Sequence, residues 1–218
     1  GSGLQAVVSA AEQIMLGNCD TALAGGAESM SRAGHLLTKS RSGQKMGDVV
    51  ATDMMLGALN DPFGNGHMGI TAENVAKRGN IDRAAQDAFA LESHRRAARA
   101  IEQGHFKQQI LPIPVRRGRE KVAFDTDEHV RPTLTEADLT KLRPAFAKDG
   151  SVTAGNASGI NDGAAALVLM EAETADARGV TPMARIVAYG LGGVAPDVMG
   201  LGPVPATRQA LERAGLQV

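Results

Sequence analysis

A single cysteine, a single tyrosine and no tryptophan stand among 218 residues. One cysteine, Cys19, excludes an internal disulfide framework and any metal site built from several thiolates. Scarce aromatics beside 26 glycines imply a core of closely packed small side chains rather than stacked rings, a composition suited to layered α/β proteins. Charge is not in excess either way. The formal net charge is -1 and basic residues alternate with acidic ones, which argues against the broad positive surface that binding a nucleic-acid backbone requires. No apolar run reaches the length of a membrane span, and the first residues lack the charged-then-apolar order of a signal peptide. The expectation is a globular, soluble, cytoplasmic protein with neither nucleic-acid nor membrane partners, long enough for one large or two modest domains.

What the chain does have is concentrated in Ser151–Met170, SVTAGNASGINDGAAALVLM. Gly155, Gly159 and Gly163 allow positive φ or a close approach of backbone, while Asn156, Ser158 and Asn161 carry short side chains that can bond neighbouring amides. The stretch reads as a polar loop at the mouth of a buried strand that starts near Gly163. On its own it is equally an ordinary loop before a core strand.

In chain order, Leu4, Val7, Val8, Ala11, Ile14 and Met15 fall at helical spacing, so Ser2–Leu16 reads as a buried amphipathic helix stopped by Gly17-Asn18. Its N-terminus offers free amides, a favourable place for a nucleophile or an anion. Thr21–Ala24 reads as a short strand entering a small-residue turn, Gly25–Ser31. Arg32–Gly66 reads as an inserted loop-rich region in which Met54, Met55, Leu56 and Leu59 require burial. His67 and Met68 follow, between glycines, just before a helix. A lone histidine there is either structural or an acid–base group.

Asp82 is a good N-cap for a helix running to Gln103, with Ala84, Ala88, Leu91, Ala98 and Ile101 on one face and charged residues on a solvated face. Gln109–Val115 is a proline-interrupted strand and RRGREK, Arg116–Lys121, a basic turn. The cluster Asp125–Pro132 places Asp, Glu and His together, but without spacing that converges ligands it reads as a surface loop, with no metal expected. Thr135-Glu136-Ala137-Asp138 is a capping box that opens a short helix through Leu142. Ala172–Gly179 reads as a helix or connector, Ala184–Ala188 as a strand, and Pro203–Gly215 as a helix with proline in its first turn.

The runs GSGLQAV at Gly1–Val7, AGGAESMS at Ala24–Ser31, HMGITAENVA at His67–Ala76, QDAFALESHRRA at Gln86–Ala97, FDTDEHVRP at Phe124–Pro132, KLRPAF at Lys141–Phe146, VTAGNASGINDGAAA at Val152–Ala166 and MGLGPVPATR at Met199–Arg208 are collinear along the whole chain. Together they closely resemble the thiolase family, of the biosynthetic acetyl-CoA acetyltransferase and β-ketothiolase type. Asp53–Leu59 and His67–Met68 are most similar to the β-ketothiolases of polyhydroxyalkanoate pathways.

The resemblance implies a partial thiolase fold, α/β, made of the end of an N-terminal half, an inserted loop domain and the start of a C-terminal half. The boundaries expected are 1–31 for the N-terminal half, 32–149 for the insertion, 150–174 for the return, and 184–218 for the start of the second half. It implies condensation of two acetyl-CoA to acetoacetyl-CoA, or thiolysis of a 3-ketoacyl-CoA, with the CoA thioester as substrate and no cofactor. In that chemistry a cysteine thiolate takes the acyl group, a histidine activates it, and a second cysteine deprotonates the acceptor.

By the same correspondence no catalytic residue lies in the chain. The nucleophilic cysteine is expected immediately before Gly1, and the histidine and second cysteine beyond Val218. Cys19, in the turn after the first helix, matches no catalytic position and reads as structural. What the resemblance assigns here is substrate binding. His67 and Met68 line the pantetheine and acyl tunnel, Ser158 contacts the pantetheine amide, Ala154, Gly155 and Phe146 wall the tunnel, and Arg131 lies near the adenine or phosphate end of CoA. Asp138 stands at or near a position where such enzymes may carry a nucleotide-contacting serine. The full-length protein is expected to be a homodimer or homotetramer, and the 218-residue chain to be inactive alone and prone to associate through open sheet edges. The alternatives are a non-catalytic CoA-binding or assembly module and, less close in its motifs, the related ketoacyl synthases.

Overall fold

The computed structural model describes residues 1–218. In chain order it contains α1 (Ser2–Met15), β1 (Thr21–Ser29), β2 (His35–Leu36), β3 (Thr52–Asp53), α2 (Met54–Leu59), β4 (Asn60–Asp61), β5 (Gly66–His67), α3 (Met68–Gly79), α4 (Arg83–Glu102), β6 (Ile113–Arg117), β7 (Glu120–Phe124), α5 (Glu136–Thr140), β8 (Asp162–Met170), α6 (Ala172–Ala177) and α7 (Pro203–Ala214). The chain divides into two compact units, Gly1–Gly66 with Ile160–Val218, and His67–Gly159. No helix is long and apolar enough to cross a membrane.

The first unit is organised by β1 and β8, which pair antiparallel over their full length, from Thr21 opposite Met170 to Ser29 opposite Asp162. The expected glycine turn after Ala24 is therefore strand. Gly25 and Gly26 face Ala166 and Ala165 across the ladder, and the lack of a side chain at Gly26 lets Gly3 of α1 come close, since a Cβ on Gly26 would lie 3.4 Å from the Gly3 Cα. Glycine here serves packing of helix on strand rather than a turn. Asp162 closes the end of the ladder: its carboxylate accepts the Ser31 N–H at 2.9 Å and the Ser31 hydroxyl. Those bonds hold its carboxyl below the ordinary carboxylate range, the hydroxyl first and the amide second.

Three expectations in this unit need correction. Ala184–Ala188 carries no strand, because a strand requires a neighbouring ladder and none lies alongside. Met54 and Leu56 are exposed, since α2 has only six residues and turns those side chains outward. α1 is amphipathic and ends one residue short of the expected stop, at Met15, but none of its residues is fully buried. Leu23, Leu167 and Val168 of β1 and β8 are likewise exposed.

The second unit gathers α3, α4, α5, the β6–β7 hairpin and the loop that leads to Gly159. The hairpin pairs Val115 with Val122 and turns at Gly118, whose φ of +65° explains the glycine in the basic turn. α4 begins as expected, with the Asp82 side chain accepting the Ala85 N–H at 2.8 Å. Its buried residues are Asp87 and Leu91, so the charged residues of α4 are not simply a solvated face. Asp87 is only 5% exposed and is paired with Arg83 at 2.7 Å, one turn earlier. Leu139 in α5 and Thr153 in the following loop are the most fully buried side chains of the protein.

Candidate functional site

α3 starts at His67. The His67 Nδ1 accepts the Gly69 N–H at 3.0 Å, so the imidazole takes the place of the usual serine or aspartate cap. This fixes the ring, and Phe146 stacks on it, with centroids 4.7 Å apart and planes 22° from parallel. Gly69 is what admits Phe146. A Cβ there would lie 2.3 Å from two ring carbons, so the close approach of ring to helix requires glycine. Met68 begins α3 and is half-buried, and its carbonyl accepts the Thr71 hydroxyl at 2.7 Å.

The loop carrying Ala154, Gly155 and Ser158 is held from three sides. The Glu73 carboxylate of α3 accepts the Ser151 N–H (2.9 Å), the Ser151 hydroxyl (3.0 Å) and the Val152 N–H (2.8 Å). Gln86 of α4 donates to the Ser151 hydroxyl at 2.8 Å. Asn156 folds the loop on itself: its Oδ1 accepts the Thr153 N–H at 2.7 Å, and its Nδ2 donates to the Ser151 carbonyl at 3.1 Å and to Asp87 at 2.9 Å. Gly155 then packs against Leu139 and Leu142, where a Cβ would meet their methyls at 2.5 and 2.6 Å. Backbone bonding by Asn156 agrees with the sequence reading. The glycines differ in part, since neither Gly155, Gly159 nor Gly163 takes positive φ, and Gly155 is needed for proximity alone.

The structure thus brings His67 and Phe146 into contact and places Ala154 and Gly155 in one turn, with Ala154 and Ser158 exposed. Arg131 belongs to another cluster. Its side chain is exposed while its N–H donates to His94 Nδ1 at 3.2 Å, and His94 stacks on His129 at 5.8 Å between centroids. The acidic cluster nearby is committed locally: Glu128 pairs with Arg117 and Asp127 accepts the His129 N–H at 2.9 Å. Asp138 is occupied by Lys141 (2.8 Å) and by the Thr135 hydroxyl (2.7 Å) and N–H (3.1 Å) in the capping box. Lys141 first and Thr135 second hold its carboxyl down to about 2. A shallow groove of about 580 Å³ along α3, lined in part by Glu73, Lys77, Asn80 and Ser151, contains none of the seven sequence-predicted residues.

Partial burial chiefly, then the charges of His129 and Arg131, push His94 below its ordinary value of 6.5, with Asp127 pulling the other way. A histidine depressed in the fold contributes stability that is complete above the unfolded value and is lost as pH falls through the folded one. The melting temperature should therefore fall more steeply for the wild type than for His94→Gln between about pH 7 and pH 5. Parallel curves would show that His94 is not the responsible group.

Residues 1–173 match the family described as thiolase, N-terminal domain, and residues 180–218 the one described as thiolase, C-terminal domain. The chain is 62% identical over 219 residues to the beta-ketothiolase BktB of Cupriavidus necator, which covers 100% of this chain and 56% of that protein. Among solved structures, the Bacillus anthracis acetyl-CoA acetyltransferase is 47% identical with a TM-score of 0.95, covering 100% of this chain and 55% of that one. Human mitochondrial 3-ketoacyl-CoA thiolase in complex with CoA is 41% identical with a TM-score of 0.94, over 100% of this chain and 54% of the other. The chain spans 56% of the length of the first of these relatives.

Proposed function

Because the chain belongs to the thiolase family and carries its fold, we propose that it is the substrate-holding part of an acyltransferase that condenses two acetyl-CoA to acetoacetyl-CoA and CoA, or thiolytically cleaves a 3-ketoacyl-CoA. The observation that carries this reading is the His67–Phe146 wall at the start of α3, admitted by Gly69, in the run where the resemblance places the tunnel. His67, Met68, Phe146, Ala154 and Gly155 line the acyl and pantetheine path, Ser158 meets the pantetheine amide, and Arg131 meets the nucleotide end. The CoA thioester is the substrate and the scheme needs no metal or redox group, because acyl transfer between thiols changes no oxidation state.

The chemistry requires two reactive cysteines. This chain has one, Cys19, in the turn after α1, so at least one reactive cysteine is not among these residues. By the family correspondence Cys19 matches neither, and the proposal takes the nucleophile, its activating histidine and the second cysteine from outside these 218 residues. In the proposed division, 1–31 and 150–174 belong to the first half, 32–149 to the insertion and 184–218 to the second half. The working protein is a cytoplasmic homodimer or homotetramer, and the exposed apolar residues of β1 and β8 support association. Light scattering on the 218-residue chain should show a mixture of assemblies; a monodisperse monomer would count against this.

The complete protein should consume acetoacetyl-CoA in the presence of CoA, and the 218-residue chain should not. Turnover by the chain alone, or none by the complete protein, overturns the proposal. A second reading, a non-catalytic CoA-binding module, draws support from one observation: all seven contact residues fall in the His67–Gly159 unit. Calorimetry of the chain with CoA tests it, and absence of binding at millimolar CoA removes it.

A further inference from the structure

We propose that Asp87 and Asn156 are positioning residues that set the affinity for CoA, an inference that rests on the thiolase reading above. Asp87 lies in α4 and is nearly sealed from solvent at 5% exposure. The sequence places it among the charges of a solvated helix face, and the acyl-transfer chemistry gives it no role.

Its two carboxylate oxygens are divided between two jobs. One accepts from Arg83 Nε at 2.7 Å, the other from Asn156 Nδ2 at 2.9 Å. Arg83 then reaches the other wall, where its Nη2 donates to the carbonyls of Leu139 at 2.6 Å and Leu142 at 3.1 Å. Leu139 and Leu142 are the side chains against which Gly155 is pressed. A single ion pair on α4 therefore holds both jaws around Gly155: the loop through Asn156, and the α5 segment through Arg83.

A buried carboxylate is costly unless its partners are well placed. A plain loop anchor would need only a neutral acceptor, whereas this charge is matched to a guanidinium that also fixes the opposing wall. The product is a turn whose inner face is closed by leucine, with Ala154 and Ser158 left exposed on the side where the thiolase reading puts pantetheine. Because these residues touch no reacting atom, their loss weakens binding of ground state and transition state alike, which raises KM and leaves kcat in place.

Asn156→Ala is the milder probe, since it leaves the Arg83–Asp87 pair of α4 intact. In the complete protein, Asn156→Ala, Asn156→Asp and Asp87→Asn should each raise the KM for CoA in thiolysis by about tenfold, with kcat within about twofold of wild type. Asn156→Asp sets two carboxylates against each other and also turns an acceptor toward the Ser151 carbonyl, which Asn156 Nδ2 otherwise serves. Combining it with Asp87→Asn restores one donor and one acceptor across the pair but not the Ser151 bond, so the double variant should recover part of the affinity lost by Asn156→Asp. A folded Asn156→Ala with unchanged KM, or a double variant no better than Asn156→Asp alone, overturns the proposal. So does a parallel fall in kcat without a change in KM, the mark of general damage to the fold. No thiolysis by the wild-type protein would instead overturn the reading on which it rests.

Discussion

Glu73→Ala is expected to destabilise the His67–Gly159 unit by about 3 kcal/mol, because it strands several donors at once. The carboxylate receives the Ser151 N–H, the Ser151 hydroxyl and the Val152 N–H, and Val152 is a core residue at 6% exposure. Each donor left unmet inside the protein costs about 1–3 kcal/mol, whereas the net gain of an ordinary bond is nearer 1. The loss should thus exceed what a count of bonds gives. Glu73→Gln separates charge from shape: its amide oxygen still accepts on one side, but its NH₂ group faces donors on the other, and roughly half the loss should remain. Denaturant midpoints at constant slope are the measurement. A loss under about 1 kcal/mol for Glu73→Ala would mean that water replaces the carboxylate and that the loop is not anchored there.

Gly69→Ala sets two effects against each other. Alanine raises helix propensity by about 1 kcal/mol at an interior position and by less in the first turn. Against this, its Cβ would sit 2.3 Å from the Phe146 ring, well inside contact distance. The ring has little freedom to retreat, because the neighbouring Ala145 N–H is bonded to the Val152 carbonyl at 2.9 Å. Overpacking of this kind costs about 1–3 kcal/mol, so a net loss of about 2 is expected, with the His67 stack opened. Adding Phe146→Leu should make room and return part of the stability. A Gly69→Ala protein as stable as wild type would show that the ring moves freely, and that the wall is softer than its geometry indicates.

Local features were the legible ones. The Asp82 cap and the Thr135–Asp138 box depend on residues within one turn, and the structure has both. The family resemblance ran the length of the chain and carried the fold with it. Asp87 was not legible. In sequence it is one more acid on a helix rich in charge, and its burial depends on Asn156, distant along the chain. Glu73 lies inside a matching run, yet nothing local marks it as the acceptor for a loop nearly eighty positions on, at Ser151. The strand through Gly25 and Gly26 was missed for the opposite reason. Glycine signals a turn locally, and only the partner strand and α1 reveal a site where close approach is the need. His67 and Phe146 were both named from the resemblance, but their stacking on each other belongs to the fold alone.

The cap on α3 also decides which hydrogen-bonding face His67 can show. An Nδ1 that accepts the Gly69 N–H leaves the hydrogen of the neutral ring on Nε2. One end of the imidazole is then committed as an acceptor to the helix, and the other is a donor. As long as the helix stays capped, any further partner of this ring must be an acceptor.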